Sequence, residues 1–174
     1  MSIHYTHEKR YTKTISFVNK HIKKGSNILD LGIKNILSER LISSGYVVEN
    51  TKGENLDIDF NAYSKKKYDC LTAFEIFEHM LAPFNILKSI SSKSLIASVP
   101  LKLWFSSAYW NENDDWDKHY HEFEPKQFKF LLEKSGWIIK DFELWTSPDN
   151  SKIGIRPLLR NFYKRYYIVY CERN

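Results

Sequence analysis

The sequence contains no apolar run approaching the roughly 20 residues needed to cross a bilayer. Its first ten residues, Met1 to Arg10, are polar where a secretory leader would be apolar. Together these absences argue against a spanning or exported design and make a cytoplasmic protein the expectation. Cysteine is scarce. Cys70 and Cys171 each sit inside an apolar, strand-like run, where cysteine serves as a small buried hydrophobe more often than as a bridge or metal ligand. Free thiols are expected. Repeats and low-complexity linkers are also missing, and 174 residues are ample for one core and short for two. A single domain over 1–174 follows, with 1–25 as a covering helical segment. No Gly-x-Gly-x-x-Gly follows the first strand-like run, which argues against a nicotinamide-dependent oxidoreductase.

What is present can build a core: 43% of residues are hydrophobic and 16% aromatic, against 27% charged. The net charge of +5 comes largely from the stretches Lys9 to Lys24 and Lys152 to Arg165. Neither carries a nucleic-acid motif, so both read as solvated surfaces and nucleic acid is not an expected partner. In the second stretch Arg156, Arg160, Lys164 and Arg165 interleave with Phe162 and Tyr163. That pattern suits an anionic substrate or a solvated rim.

Tyr11, Ile15, Val18 and Ile22 recur at steps of four and three, which predicts a helix from Thr6 to Lys24 ended by Gly25. Asn27 to Gly32 reads as a short buried strand and Ile36 to Ser44 as a helix. Tyr46 to Glu49 gives a second strand, and the alternation over Leu56 to Phe60 predicts a third. Tyr68 to Phe74 and Ser94 to Val99 are further buried strands, with Pro83 suited to the first turn of the helix between them. A long aromatic and acidic loop, Leu101 to Glu124, precedes a helix from Pro125 to Gly136; loops of that length are commonly functional. Trp137 to Trp145 and Tyr166 to Glu172 are apolar strands free to pair antiparallel. The alternation of strands and helices predicts a mostly parallel sheet covered on both faces, with ligands at the carboxyl ends of the strands.

Four segments then become specific in combination: Asp30-Leu31-Gly32, Phe74-Glu75-Ile76-Phe77-Glu78-His79, Ser98-Val99-Pro100, and His121-Glu122-Phe123 before the Phe128–Gly136 helix. Their order resembles the successive motifs of small bacterial class I S-adenosylmethionine-dependent methyltransferases. The resemblance runs from about Asn27 to the C-terminus. It implies a Rossmann-like α/β fold closed by a C-terminal antiparallel hairpin, with S-adenosylmethionine as cofactor and a small-molecule or glycan-like methyl acceptor. The family's first loop is Asp-x-Gly-x-Gly-x-Gly, whereas this chain continues Gly32-Ile33-Lys34-Asn35-Ile36. Its glycine-rich motif is degenerate, and Ile33, Lys34 and Ile36 bring side chains to places the family keeps bare. A binding or regulatory domain that has lost the cofactor is therefore the alternative function.

On that resemblance Asp30, Gly32, Phe74 and Glu75 are the expected cofactor contacts. Lys52 aligns where the family has a ribose-binding acid, so Glu49 or Glu54 must substitute, and Asp57 takes the adenine side. Asp57 and Asp59 also fit a half-exposed strand. Glu75, Glu78 and His79 can share one side of a helix start. In quinone O-methyltransferases such a cluster faces the acceptor and can hold a divalent cation, though no metal is assigned here; the glutamates could equally complement the helix dipole. His79, Glu78 and His121 are the catalytic candidates, with histidine suited to taking a proton from an acceptor hydroxyl. The Trp104–His121 loop, with Trp116 and His119, suits a water-excluding lid or a hydrophobic plug.

Overall fold

The computed structural model describes residues 2–148 and 153–173, with side chains from Glu8 onward. Chain order is α1 (Ser2–His21), β1 (Asn27–Asp30), α2 (Ile36–Ser43), β2 (Val47–Asn50), β3 (Lys67–Phe74), a 3-10 turn (Phe77–His79), α3 (Pro83–Ser89), β4 (Ser91–Pro100), α4 (Pro125–Lys134), β5 (Trp137–Thr146), α5 (Ile155–Arg160) and β6 (Lys164–Arg173). Six strands form one sheet in the order β2-β1-β3-β4-β6-β5. β2, β1, β3 and β4 are parallel, while β6 runs antiparallel to both β4 and β5. This is the expected mostly parallel sheet with its antiparallel hairpin.

Strand pleating sends alternate residues to opposite faces, and both faces here are covered. Ile28, Cys70, Ile96 and Ile168 pack beneath Phe17 and Val18 of α1, Ile22 just beyond it, and Leu41 of α2. Leu29, Leu71, Leu95, Ala97 and Val169 pack against Ile86 and Leu87 of α3 and Phe128 and Leu132 of α4. Trp137 at the start of β5 is fully buried, donates its indole N–H to the Leu87 carbonyl at 3.0 Å, and carries the Arg173 guanidinium over its ring at 4.1 Å. That contact ties the hairpin to α3.

The strand expected over Leu56–Phe60 does not form. Asn55 accepts from the Asp57 N–H through its side chain and from the Ile58 and Asp59 N–H groups through its carbonyl. This Asx-type turn outcompetes sheet pairing despite the alternation. The stretch between β5 and β6 carries α5, which periodicity did not reveal; Lys152 of the basic stretch lies outside the described residues. Pro157 falls in the first turn of α5, where its missing N–H costs nothing.

Cys70 and Cys171 are free and buried, on opposite faces of the sheet with β4 between their strands. Burial pushes the Cys70 thiol up to about 12 and raises that of Cys171 as well. Thiol reagent at neutral pH is therefore expected to leave the native protein unlabelled and to modify two groups after denaturation without reductant. Two rapidly labelled thiols in the native protein would contradict the packing.

Candidate active site

The register of the parallel strands places Asn50, Asp30 and Thr72 in one row across β2, β1 and β3. Asp30 is only 2% exposed. Its carboxylate accepts from Thr72 Oγ1 at 2.7 Å, Ser38 Oγ at 2.8 Å and Asn50 Nδ2 at 3.0 Å. The turn that follows is fixed by side chains. Asn35 caps α2 by accepting from the Leu37 and Ser38 N–H groups, and Thr51 Oγ1 accepts from the Gly32 N–H at 2.8 Å. Gly32 has φ +105°, and a Cβ there would meet Ile76 Cδ1 at 3.2 Å. A bare residue is required at this point.

Two cavities open on either side of that glycine, at the carboxyl ends of the strands. The larger, about 450 Å³, is lined by Gly32, Ile33, Thr51, Glu54, Ile76 and Trp116, among others. The smaller, about 200 Å³, is walled by Arg10 and Thr14 of α1, Asp30, Asn35, Glu75 and Ser98. Glu75 is a non-glycine residue held at φ +57°, so its carboxylate is aimed by the backbone. It accepts from Ser98 Oγ at 2.7 Å and lies 3.9 Å from the Arg10 guanidinium. The small cavity thus presents a cation and an anion side by side. Burial raises the Glu75 pKa, and Arg10 opposes the shift.

Next to it lies a cluster of acids and imidazoles. Glu78 is completely buried, and neither carboxylate oxygen has a hydrogen-bond partner among the described residues. Desolvation, reinforced by the charge of Glu75, holds its carboxyl well above the usual carboxylate range. The Glu78 carbonyl accepts from the N–H groups of Tyr120 and His121, so the end of the Leu101–Glu124 loop is pinned onto the 3-10 turn. His121 Nε2 is buried and also without a partner among the described residues. The His79 and His119 rings meet edge to face at 4.8 Å, and His119 Nδ1 lies 3.2 Å from Glu122. Burial lowers both pKa values, which favours the neutral imidazoles. One ligand atom each from Glu78, His79 and His119 lies within 4.8 Å of the others, close enough to converge on a cation with modest movement.

No protein-family model and no curated protein matches the chain at the level of sequence. Solved structures do. The Burkholderia thailandensis 1,6-didemethyltoxoflavin N1-methyltransferase, with its substrate and S-adenosylhomocysteine bound, superposes with a TM-score of 0.67 at 12% identity, covering 99% of this chain and 85% of that one. The Synechocystis PCC 6803 magnesium protoporphyrin IX methyltransferase with bound S-adenosylmethionine gives 0.58 at 12% identity, covering 99% and 82%. The fold is that of the S-adenosylmethionine-dependent methyltransferases. It is also the fold of the cyclase SpnF, at a TM-score of 0.57 and 13% identity over 94% and 81% of the two chains. A methyltransferase fold thus accommodates more than one chemistry.

Within this methyltransferase fold the sequence-expected positions separate clearly. Asp30, Phe74 and Glu75 line the smaller cavity, and Gly32, Asp57 and His79 the larger. The Asp57 carboxylate is already engaged, accepting from the Leu81 and Ala82 N–H groups at 2.9 and 2.7 Å. Glu49 lines neither cavity: on edge strand β2, Lys66 Nζ and Tyr68 OH hold it at 2.6 and 3.0 Å. Glu54 stands at the larger cavity instead, accepting from Tyr63 OH at 2.7 Å and the Lys52 N–H at 2.6 Å. Lys34 and Ile36 are absent from both linings, with Lys34 turned toward Glu39 at 3.9 Å and Ile36 56% exposed. They do not obstruct the cavities as the loop's sequence suggested; Ile33 and Ile76 are the side chains that intrude. Arg10, Thr14, Thr51 and Ile76 escaped sequence reading. Arg10 and Thr14 are one turn apart beside the apolar stripe of α1, a signal that was available.

Proposed function

We propose that the protein transfers a methyl group from S-adenosylmethionine to a small-molecule or glycan-like acceptor. The observation that carries this reading is the pair of neighbouring cavities at the strand ends, the larger lined by Gly32 and the smaller presenting Arg10 and Glu75 together, in a fold whose solved examples hold this cofactor or its demethylated product. An α-amino acid group is a zwitterion, and a guanidinium 3.9 Å from a carboxylate matches its two charges. Glu54 and Thr51 supply acceptors for hydroxyls in the larger cavity. The cofactor supplies an activated methyl on a sulfonium, which leaves the chain to position an acceptor, exclude water and remove a proton. Neutral His79 suits the last task, and Trp116 covers the cavity it lines. Glu78 and His121, the other two catalytic candidates, line neither cavity.

A cofactor-free binding domain is the second reading, and one observation favours it. The two cavities share no lining residue, and Ile76 packs on Gly32 where their linings pass from Leu31 to Gly32 and from Glu75 to Ile76. Calorimetric titration with S-adenosylmethionine and S-adenosylhomocysteine separates the two. The enzyme reading expects saturable binding that weakens at least tenfold in Gly32→Ala, whose Cβ would enter the Ile76 contact at a φ disfavoured for alanine. The Lys34→Gly, Ile36→Gly pair should bind as wild type, because it removes no atom from either cavity. Absence of binding by wild type up to millimolar ligand would leave the binding-domain reading.

A further inference from the structure

α5 has no buried residue, yet its sequence is Ile-Arg-Pro-Leu-Leu-Arg. Ile155 and Leu158, three apart, share a face and are 76% and 58% exposed, and Phe162 beyond the helix is 73% exposed. Arg156 and Arg160, four apart, share an adjacent face. The apolar stripe continues across the molecule. Tyr163 meets Phe105 at 5.5 Å and Trp104 at 6.2 Å, and Trp104 is itself 70% exposed. Such side chains leave water on folding in an ordinary domain, and an element that exposes this many has not satisfied them within its own fold.

Charge selects what covers them. From Asn150 to Cys171 the sequence has no acidic residue, while Arg156, Arg160 and Lys164 flank the apolar stripe. A second copy seated on this ledge by a two-fold axis would bring the same cations face to face, an arrangement that like charge disfavours. We propose that the ledge formed by α5, Phe162 and Trp104 docks the protein on an anionic lipid bilayer. The apolar side chains enter the interface while the arginines meet lipid phosphates, as an in-plane amphipathic element does. Nothing spans the membrane in this arrangement, in keeping with the lack of any long apolar helix among the described residues.

Position gives the ledge a consequence. Pro100 pairs with Tyr166, so β6 begins at the rim where β4 ends, and both α5 and the Leu101–Glu124 loop leave from that rim. The cavities at Gly32 and Glu75 open along it too. Docking therefore brings the strand ends close to the headgroup region and would give the site access to amphiphilic acceptors, although the docking itself does not depend on the methyl-transfer reading.

Co-sedimentation of the full chain with sucrose-loaded vesicles tests this. Phosphatidylcholine containing about one third phosphatidylglycerol should retain the protein, phosphatidylcholine alone should retain it at least tenfold less, and salt near 0.5 M should release it. Neutralising Arg156 and Arg160 with glutamine should lower partitioning roughly 20-fold, since each cation near an anionic surface contributes about fivefold. Leu158→Glu with Phe162→Glu should abolish retention while leaving the melting temperature unchanged, because both side chains are exposed. Equal retention on both vesicle types, or retention of the glutamate pair at the wild-type level, would overturn the proposal. So would vesicle-independent dimerisation in sedimentation velocity that the glutamate pair removes, since a second copy would then own the ledge.

Discussion

Asp30→Ala is expected to destabilise the fold by about 3–5 kcal/mol, a large fraction of the roughly 5–15 kcal/mol that holds an ordinary domain. The carboxylate accepts three hydrogen bonds from donors on three different elements, Thr72 of β3, Ser38 of α2 and Asn50 of β2. Alanine would leave those donors facing a buried space, and each orphaned donor costs roughly 1–3 kcal/mol. Asn50 Nδ2 retains the Gly32 carbonyl at 3.2 Å, which keeps the total below the simple sum. Asp30→Asn should not rescue, because its amide N–H₂ adds donors where acceptors are needed. Thr72→Val removes one donor together with its demand and should cost only about 1 kcal/mol. Urea denaturation midpoints of the three variants measure this. An Asp30→Ala protein within 1 kcal/mol of wild type would show that the network does not hold β1, β2, β3 and α2 together.

Glu78→Gln should make the protein more stable at high pH than the wild type and reverse or erase that advantage at low pH. In the unfolded chain a glutamate releases its proton near 4.5, whereas burial and the neighbouring charge of Glu75 keep Glu78 protonated to higher pH in the fold. Above 4.5 the unfolded state therefore gains free energy by ionising, and wild-type stability falls by about 1.4 kcal/mol per pH unit until the folded value is passed. Glutamine has no proton to lose. From pH 5 upward the difference in unfolding free energy between variant and wild type should move in the variant's favour until the folded value is passed. His79 and His119 act in the opposite sense, since their lowered values favour the fold as pH rises through the ordinary histidine range. Both chains share them, so they largely cancel in the difference. A difference that stays constant with pH would mean that Glu78 is ionised in the fold.

The two substitutions probe different depths of legibility. Asp30 stood out in the sequence through the resemblance of Asp30-Leu31-Gly32 to the methyltransferase motif, whose strand, turn and glycine are all set within a few residues. Glu78 was visible as a candidate but its state was not. A glutamate near a helix start ordinarily meets solvent and the helix dipole. Here it sits in a 3-10 turn under a loop that returns from more than forty residues downstream, and only that return takes water away from it. Glu49 and Glu54 show the same limit. Glu49 lies in β2 and Glu54 in the loop beyond it, and the choice between them depended on Lys66 and Tyr68 engaging the first while the loop carries the second to the cavity.

The sequence by itself determined the strands β1, β3, β4, β5 and β6, the helices α1, α2 and α4, and the order of the motif-like segments, but not α5. Hydrophobic period and turn chemistry act over one or two turns of chain, and those are the ranges a single sequence encodes directly. It did not determine that Asn55 would turn the Leu56–Phe60 segment out of the sheet, since alternation and an Asx turn compete there on nearly equal local terms. Only the tertiary structure decided that Arg10 faces Glu75, that Ile76 rather than Lys34 or Ile36 crowds Gly32, that both carboxylate oxygens of Glu78 lack a hydrogen-bond partner among the described residues, and that the apolar face of α5 is left in solvent. Each of these is a contact, or the lack of one, between segments distant in the chain. Desolvation and charge pairing depend on what else occupies the same few ångströms, so they take their values only once the sheet has brought those segments together.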